Sequence, residues 1–162
     1  MPVNRAALKA LMRAFANPAW PSFTWFGMTA GISLLESPAR FSADTLSRAA
    51  ALDLGRIVFS VLNKAELITL VVLLSIVRIS GQGRRYWAEC ALLALIMIAQ
   101  SVWLLPELSA RSAQIVAGAD PGPSFVHAAY ASLELLKLAL LLVLGFRALA
   151  ATGNAMPSGT KS

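Results

Sequence analysis

The chain has 162 residues, 57% of them hydrophobic and 14% charged, with a mean hydropathy of +0.67. A soluble domain is nearer half apolar and about a quarter charged, so an ordinary water-soluble globule is excluded. The net charge of +6 does not point to nucleic acid, because the basic residues flank apolar blocks instead of gathering on one soluble face. The single cysteine, Cys90, rules out an intramolecular disulfide and multi-thiolate metal sites.

In chain order, residues 1–17 form a basic amphipathic segment. Leu8, Leu11, Met12 and Phe15 make one stripe beside Arg5, Lys9 and Arg13, a pattern suited to the lipid headgroup region. Four apolar spans follow within residues 18–150, at about 19–35, 57–77, 86–105 and 125–146. Each approaches or exceeds the length that a helix needs to cross hydrocarbon. Pro18 and Pro21 suit the start of the first span, with Trp20 and Trp25 as interfacial anchors. Gly27 and Gly31 in that span form a small-xxx-small pair that permits close helix packing. Ser42 is a candidate cap, with Asp44 and Arg48 spaced for an ion pair, so the second helix is expected to start near residue 43. Trp87 and Trp103 anchor the third span and Pro106 stops it; residues 151–162 read as a disordered tail. The expected fold is an all-α integral membrane four-helix bundle.

Orientation follows from Lys and Arg in the flanks. Arg5, Lys9, Arg13, Arg78, Arg84, Arg85, Arg147 and Lys161 fall on one side; Arg40, Arg48, Arg56 and Arg111 fall on the other. The first side is expected to be cytoplasmic, giving N-in and C-in termini in a bacterial inner (plasma) membrane.

The informative residues are those that violate hydropathy. Asn63, Lys64 and Glu66 interrupt the second span; His127, Tyr130, Glu134 and Lys137 interrupt the fourth; Gln100 lies in the third and Glu36 ends the first. A charge at mid-bilayer costs about 2.5–3.5 kcal/mol on the lenient scale, so these side chains should face protein or a wet cavity. At about 1.5 Å per residue, Glu66 and Glu134 both lie about 13–14 Å from the outer edge. His127, Tyr130, Glu134 and Lys137 share one helix face, as do Ser60, Asn63 and Glu66, whereas Lys64 points elsewhere and snorkels outward. The expected interior is polar in its outer half and dry and Leu-rich in its inner half. The first and third helices are expected to supply mostly packing and anchoring.

Two readings of this seam stand side by side. Glu66, Glu134, Asn63, Gln100, His127, Tyr130 and Lys137 bind or pass a small polar or cationic solute, or the same residues fix helix packing and dock a membrane partner. No HExxH, phosphate-cradling glycine loop, GxSxG or dinucleotide fingerprint is present, so catalysis has little support. No metal site or cofactor is expected. With one histidine, bis-histidine haem is excluded, though His127 with a methionine such as Met97 is not. The expected partners are the lipid bilayer and a second copy or another membrane subunit.

Four motifs together resemble the transmembrane protein 205-like family, a small four-helix membrane domain without a settled function. They are Glu36-Ser37-Pro38-Ala39-Arg40-Phe41 after the first span, Asn63-Lys64-Ala65-Glu66 in the second, Trp103-Leu104-Leu105-Pro106 closing the third, and His127 with Tyr130 opening the fourth. The resemblance spans about residues 20–148. It implies a Pro-x-x-Phe after the first helix, matched by Pro38 and Phe41, while Glu134 and Lys137 have no assigned counterpart. It implies a fold and topology, not an activity.

Overall fold

Two prolines decide where two of the helices change gauge. A proline lacks the N–H that its turn would use, and its ring crowds the carbonyl four residues earlier. For Pro38 and Pro106 those carbonyls belong to Leu34 and Val102. Each lies in a π-helical segment, Gly31–Glu36 and Ala99–Leu104, where the wider turn accommodates the ring. The backbone N–H of Ser37 accordingly bonds the Ile32 carbonyl, and that of Leu105 bonds the Gln100 carbonyl.

The computed structural model describes residues 4–153 and is all-helical over them. The elements are α1 (Arg5–Phe15), α2 (Ala19–Ala30), α3 (Ser37–Phe41), α4 (Arg48–Ile79), α5 (Arg84–Ile98), α6 (Leu105–Val116) and α7 (Val126–Gly153). The two π segments join α2 to α3 and α5 to α6 without a break. Three helices are long and apolar enough to cross a membrane: Arg48–Ile79, Arg84–Val116 and Val126–Thr152. The run from Ala19 to Phe41 is not among them; Pro21, Ser22, Thr24, Thr29 and Ser33 dilute its apolar character.

Several boundaries differ from expectation. Pro106 does not stop the third helix, which continues to Val116, because the π turn absorbs the proline. The second long helix starts at Arg48, not near residue 43. Its cap is Ser47, whose Oγ accepts the Ala50 N–H at 3.2 Å. Ser42 instead closes α3, donating to the Ala39 carbonyl, and Asp44 lies in the turn before α4. α7 reaches Gly153, so the tail expected from residue 151 begins inside a helix. Residues 154–162, with Lys161, lie outside the described residues.

At one end of the molecule, Asn17 Nδ2 donates to Thr152 Oγ1 at 2.7 Å, and Ser80 Oγ donates to the Ala16 carbonyl. The start of α2, the α4–α5 turn and the end of α7 therefore meet there. Arg147 pairs with Glu89 near this end and lies 4.2 Å over the Tyr86 ring. The adjoining core is apolar: Leu73, Val77, Cys90, Leu93, Leu141 and Leu144 are at most marginally exposed. The opposite end holds α3, the start of α4, α6 and the start of α7, around a smaller cluster of Leu104, Val126 and Tyr130.

The close helix approach falls at Gly145, not at Gly27 and Gly31. A Cβ on Gly145 would lie 2.8 Å from Phe23 Cζ, so its missing side chain lets α7 meet α2. A Cβ on Gly27 or Gly31 would have nothing within 4 Å, so the small-xxx-small pair makes no close contact among the described residues.

Candidate functional site

Between the two ends lies a layer of charged side chains sealed from the surroundings. Lys137 and Gln100 are 0% exposed, Glu66 1% and Glu134 3%. An ion buried so deeply loses several kcal/mol of hydration, which only partners can offset. Lys137 Nζ lies 2.6 Å from Glu66 Oε1 and 2.9 Å from Glu134 Oε2, so one ammonium bridges both carboxylates. It also donates to Gln100 Oε1 at 3.0 Å, while Gln100 Nε2 donates to Glu134 Oε2 at 2.7 Å. Met97 Sδ completes the surroundings at 4.0 Å from Nζ.

The first helical run supplies more than packing. Trp25 Nε1 and Thr29 Oγ1 donate to Glu66 Oε1 at 3.0 and 2.7 Å, and Ser33 Oγ donates to Glu134 Oε1 at 2.7 Å. Trp25 is therefore not an interfacial anchor. It is fully buried, because its indole N–H finds a carboxylate inside the protein. Ser33 and Gln100 both belong to π segments, so the turns that accommodate Pro38 and Pro106 also place two ligands of Glu134.

One atom stands outside this pairing. Glu66 Oε2 is buried and has no hydrogen-bond partner. The cluster thus holds two carboxylates, one ammonium and one unused carboxylate oxygen.

The seven residues of the expected seam divide into two groups. Glu66, Glu134, Lys137 and Gln100 come together. Asn63 bonds Ser101 Oγ at 2.8 Å on the adjacent stretch of α4, with no bond to the cluster. Tyr130 packs edge-on against Phe59 at 5.8 Å in the smaller apolar cluster, and His127 is exposed. His127 and Met97 do not converge: Met97 is buried beside Lys137, about three helical turns along α7 from His127. Among the described residues no group of three or more His, Cys, Asp and Glu side chains is placed to hold a metal ion. Lys64 is exposed, clear of the cluster. Trp25, Thr29 and Ser33 carried no signal beyond being polar residues in an apolar run.

What the geometry defines, among the described residues, is an all-helical fold with three helices long and apolar enough to span a membrane and a charged, enclosed core. No family model, curated protein or solved structure matches it.

Proposed function

We propose that this chain is a non-enzymatic, four-span membrane protein with both termini on the cytoplasmic side, whose Glu66–Lys137–Glu134 cluster binds one proton. In this reading Ala19–Phe41 is the remaining span. Its polar atoms face the carboxylates of α4 and α7, which lowers the cost of placing it in lipid.

The supporting observation is the charge count around Glu66, whose second oxygen has no partner. Two ionised carboxylates and one ammonium leave a net negative charge in a dry interior, which costs several kcal/mol. One added positive charge restores balance. Lys137 already takes the place between the carboxylates that a larger cation would need. The proton is the cation that still fits beside Glu66 Oε2.

A structural reading has its own support. Trp25, Thr29 and Ser33 from the first run, Glu66 from α4, Gln100 from the α5–α6 helix and Glu134 with Lys137 from α7 tie four helical runs together. Such a network fixes register regardless of any proton.

Unfolding the purified protein in detergent separates the two. Glu66→Gln leaves one carboxylate and one ammonium, the same charge as the protonated cluster, and its cost is expected to stay within about 1 kcal/mol. Glu66→Gln with Glu134→Gln strands the ammonium and costs about 3–5 kcal/mol. A purely structural network loses a comparable amount at each replacement. A loss of about 3–5 kcal/mol in either single variant would therefore sink the proton reading.

A further inference from the structure

The end opposite Asn17 and Thr152 contains a cavity that the cluster does not use. Its volume is about 120 Å³, widening into about 590 Å³ of space that includes the open surroundings, between α3, α4, α6 and the start of α7. Its walls combine two kinds of surface. Phe41, Leu52, Phe59, Leu105 and Leu108 are apolar, and Arg40, Arg56, Ser37, Ser109 and Ser112 are hydrogen-bonding. No carboxylate stands among the described residues that line it.

Arg40 is the unusual member. Its side chain is only 4% exposed, and one contact with Glu36, Nη1 to Oε1 at 3.1 Å, is its ion pair. Its Nε is buried without a partner. The guanidinium rests against α4 at Gly55, where a Cβ would lie 2.8 Å from Nη2. Glycine at this position therefore makes room for the arginine. Arg56 repeats the theme on the next residue: Nη2 pairs with Asp53 at 2.6 Å, while its Nε is buried and unpartnered. Both arginines line the cavity, and each keeps an Nε–H that no group among the described residues accepts. A guanidinium fork matches the planar or tetrahedral oxygens of an oxyanion.

We propose that this cavity binds a phosphate-type oxyanion carried on a small apolar body, with Arg40 as its anchor and Arg56 as the second donor. The serine hydroxyls supply further hydrogen bonds, and the phenylalanine and leucine walls cover the apolar part. The same phosphate chemistry arrives either as a lipid headgroup or as free phosphate.

Calorimetric titration of the full chain in detergent tests this with three probes: dihexanoyl phosphatidic acid, inorganic phosphate and neutral dihexanoyl glycerol. The phosphatidic acid is expected to bind one-to-one and the neutral diglyceride at least about tenfold more weakly, as loss of charge-assisted hydrogen bonds implies. Inorganic phosphate binding as tightly as the lipid identifies the free ion as the ligand; weaker binding identifies the lipid. Arg40→Gln and Gly55→Ala should each weaken the anion by about tenfold, the second by displacing the guanidinium. Should Arg40→Gln fail to fold, Arg56→Gln, in a more exposed side chain, carries the same expectation. Equal binding of the neutral diglyceride, no binding of either anion, or unchanged affinity in the folded arginine variants overturns the proposal.

Discussion

The two halves of this protein are both buried, yet they are held by different forces. Around Leu73, Leu93, Leu141 and Leu144 the helices meet through apolar packing with no buried charge among the residues of that cluster. One layer away, Glu66, Lys137 and Glu134 meet through ion pairs and side-chain hydrogen bonds from every neighbouring helical run. Packing tolerates small changes of shape, because many weak contacts share the load. A buried ionic layer does not, because removing its one ammonium leaves two carboxylates charged and unsolvated.

The largest break in that contrast should come from Lys137→Met. It keeps the length of the side chain but leaves two carboxylates facing each other, and a loss of about 3–5 kcal/mol is expected in detergent unfolding. A Leu141→Met change in the apolar half, nearly the same volume, should cost less than about 1.5 kcal/mol. Trp25→Phe removes one donor from Glu66 while keeping most of the ring, for an expected loss of about 1.5–3 kcal/mol. Gly145→Ala drives a methyl into Phe23 and should cost about 1–3 kcal/mol, read from the same unfolding curves. Gly27→Ala has open space and should stabilise the helix by up to about 1 kcal/mol. A large loss at Gly27 would instead reveal a close contact with a second chain.

The sequence carried the helical class, because hydropathy and span length report it directly. It also carried the meeting of Glu66 with Glu134, since equal depth and shared helix faces follow from a fixed rise and pitch. It did not carry Trp25, Thr29 and Ser33. A tryptophan near a helix start reads equally well as an anchor in the interface or as a buried donor, and only its neighbours decide. The two π turns were hidden for a related reason. Pro106 looked like a terminator, and whether a helix stops or widens at a proline depends on whether packing supports the continuation. In the sequence Arg40 reads as a flanking charge and as part of the Glu36–Phe41 motif, not as a buried side chain. Its burial depends on Gly55, fifteen residues away and on another helix, which no local pattern reports.

Infrared difference spectroscopy on the purified protein, acidified stepwise, tests the central claim most directly. A protonated carboxylic acid in a dry core gives a carbonyl band apart from those of exposed acids. The account predicts one such band, appearing on acidification while the fold is intact, reduced or shifted in both Glu66→Gln and Glu134→Gln because the pair shares the proton. If the folded wild type shows no such band at any pH, or if the band is unchanged in both variants, the cluster does not bind a proton and its role is to hold the helices together.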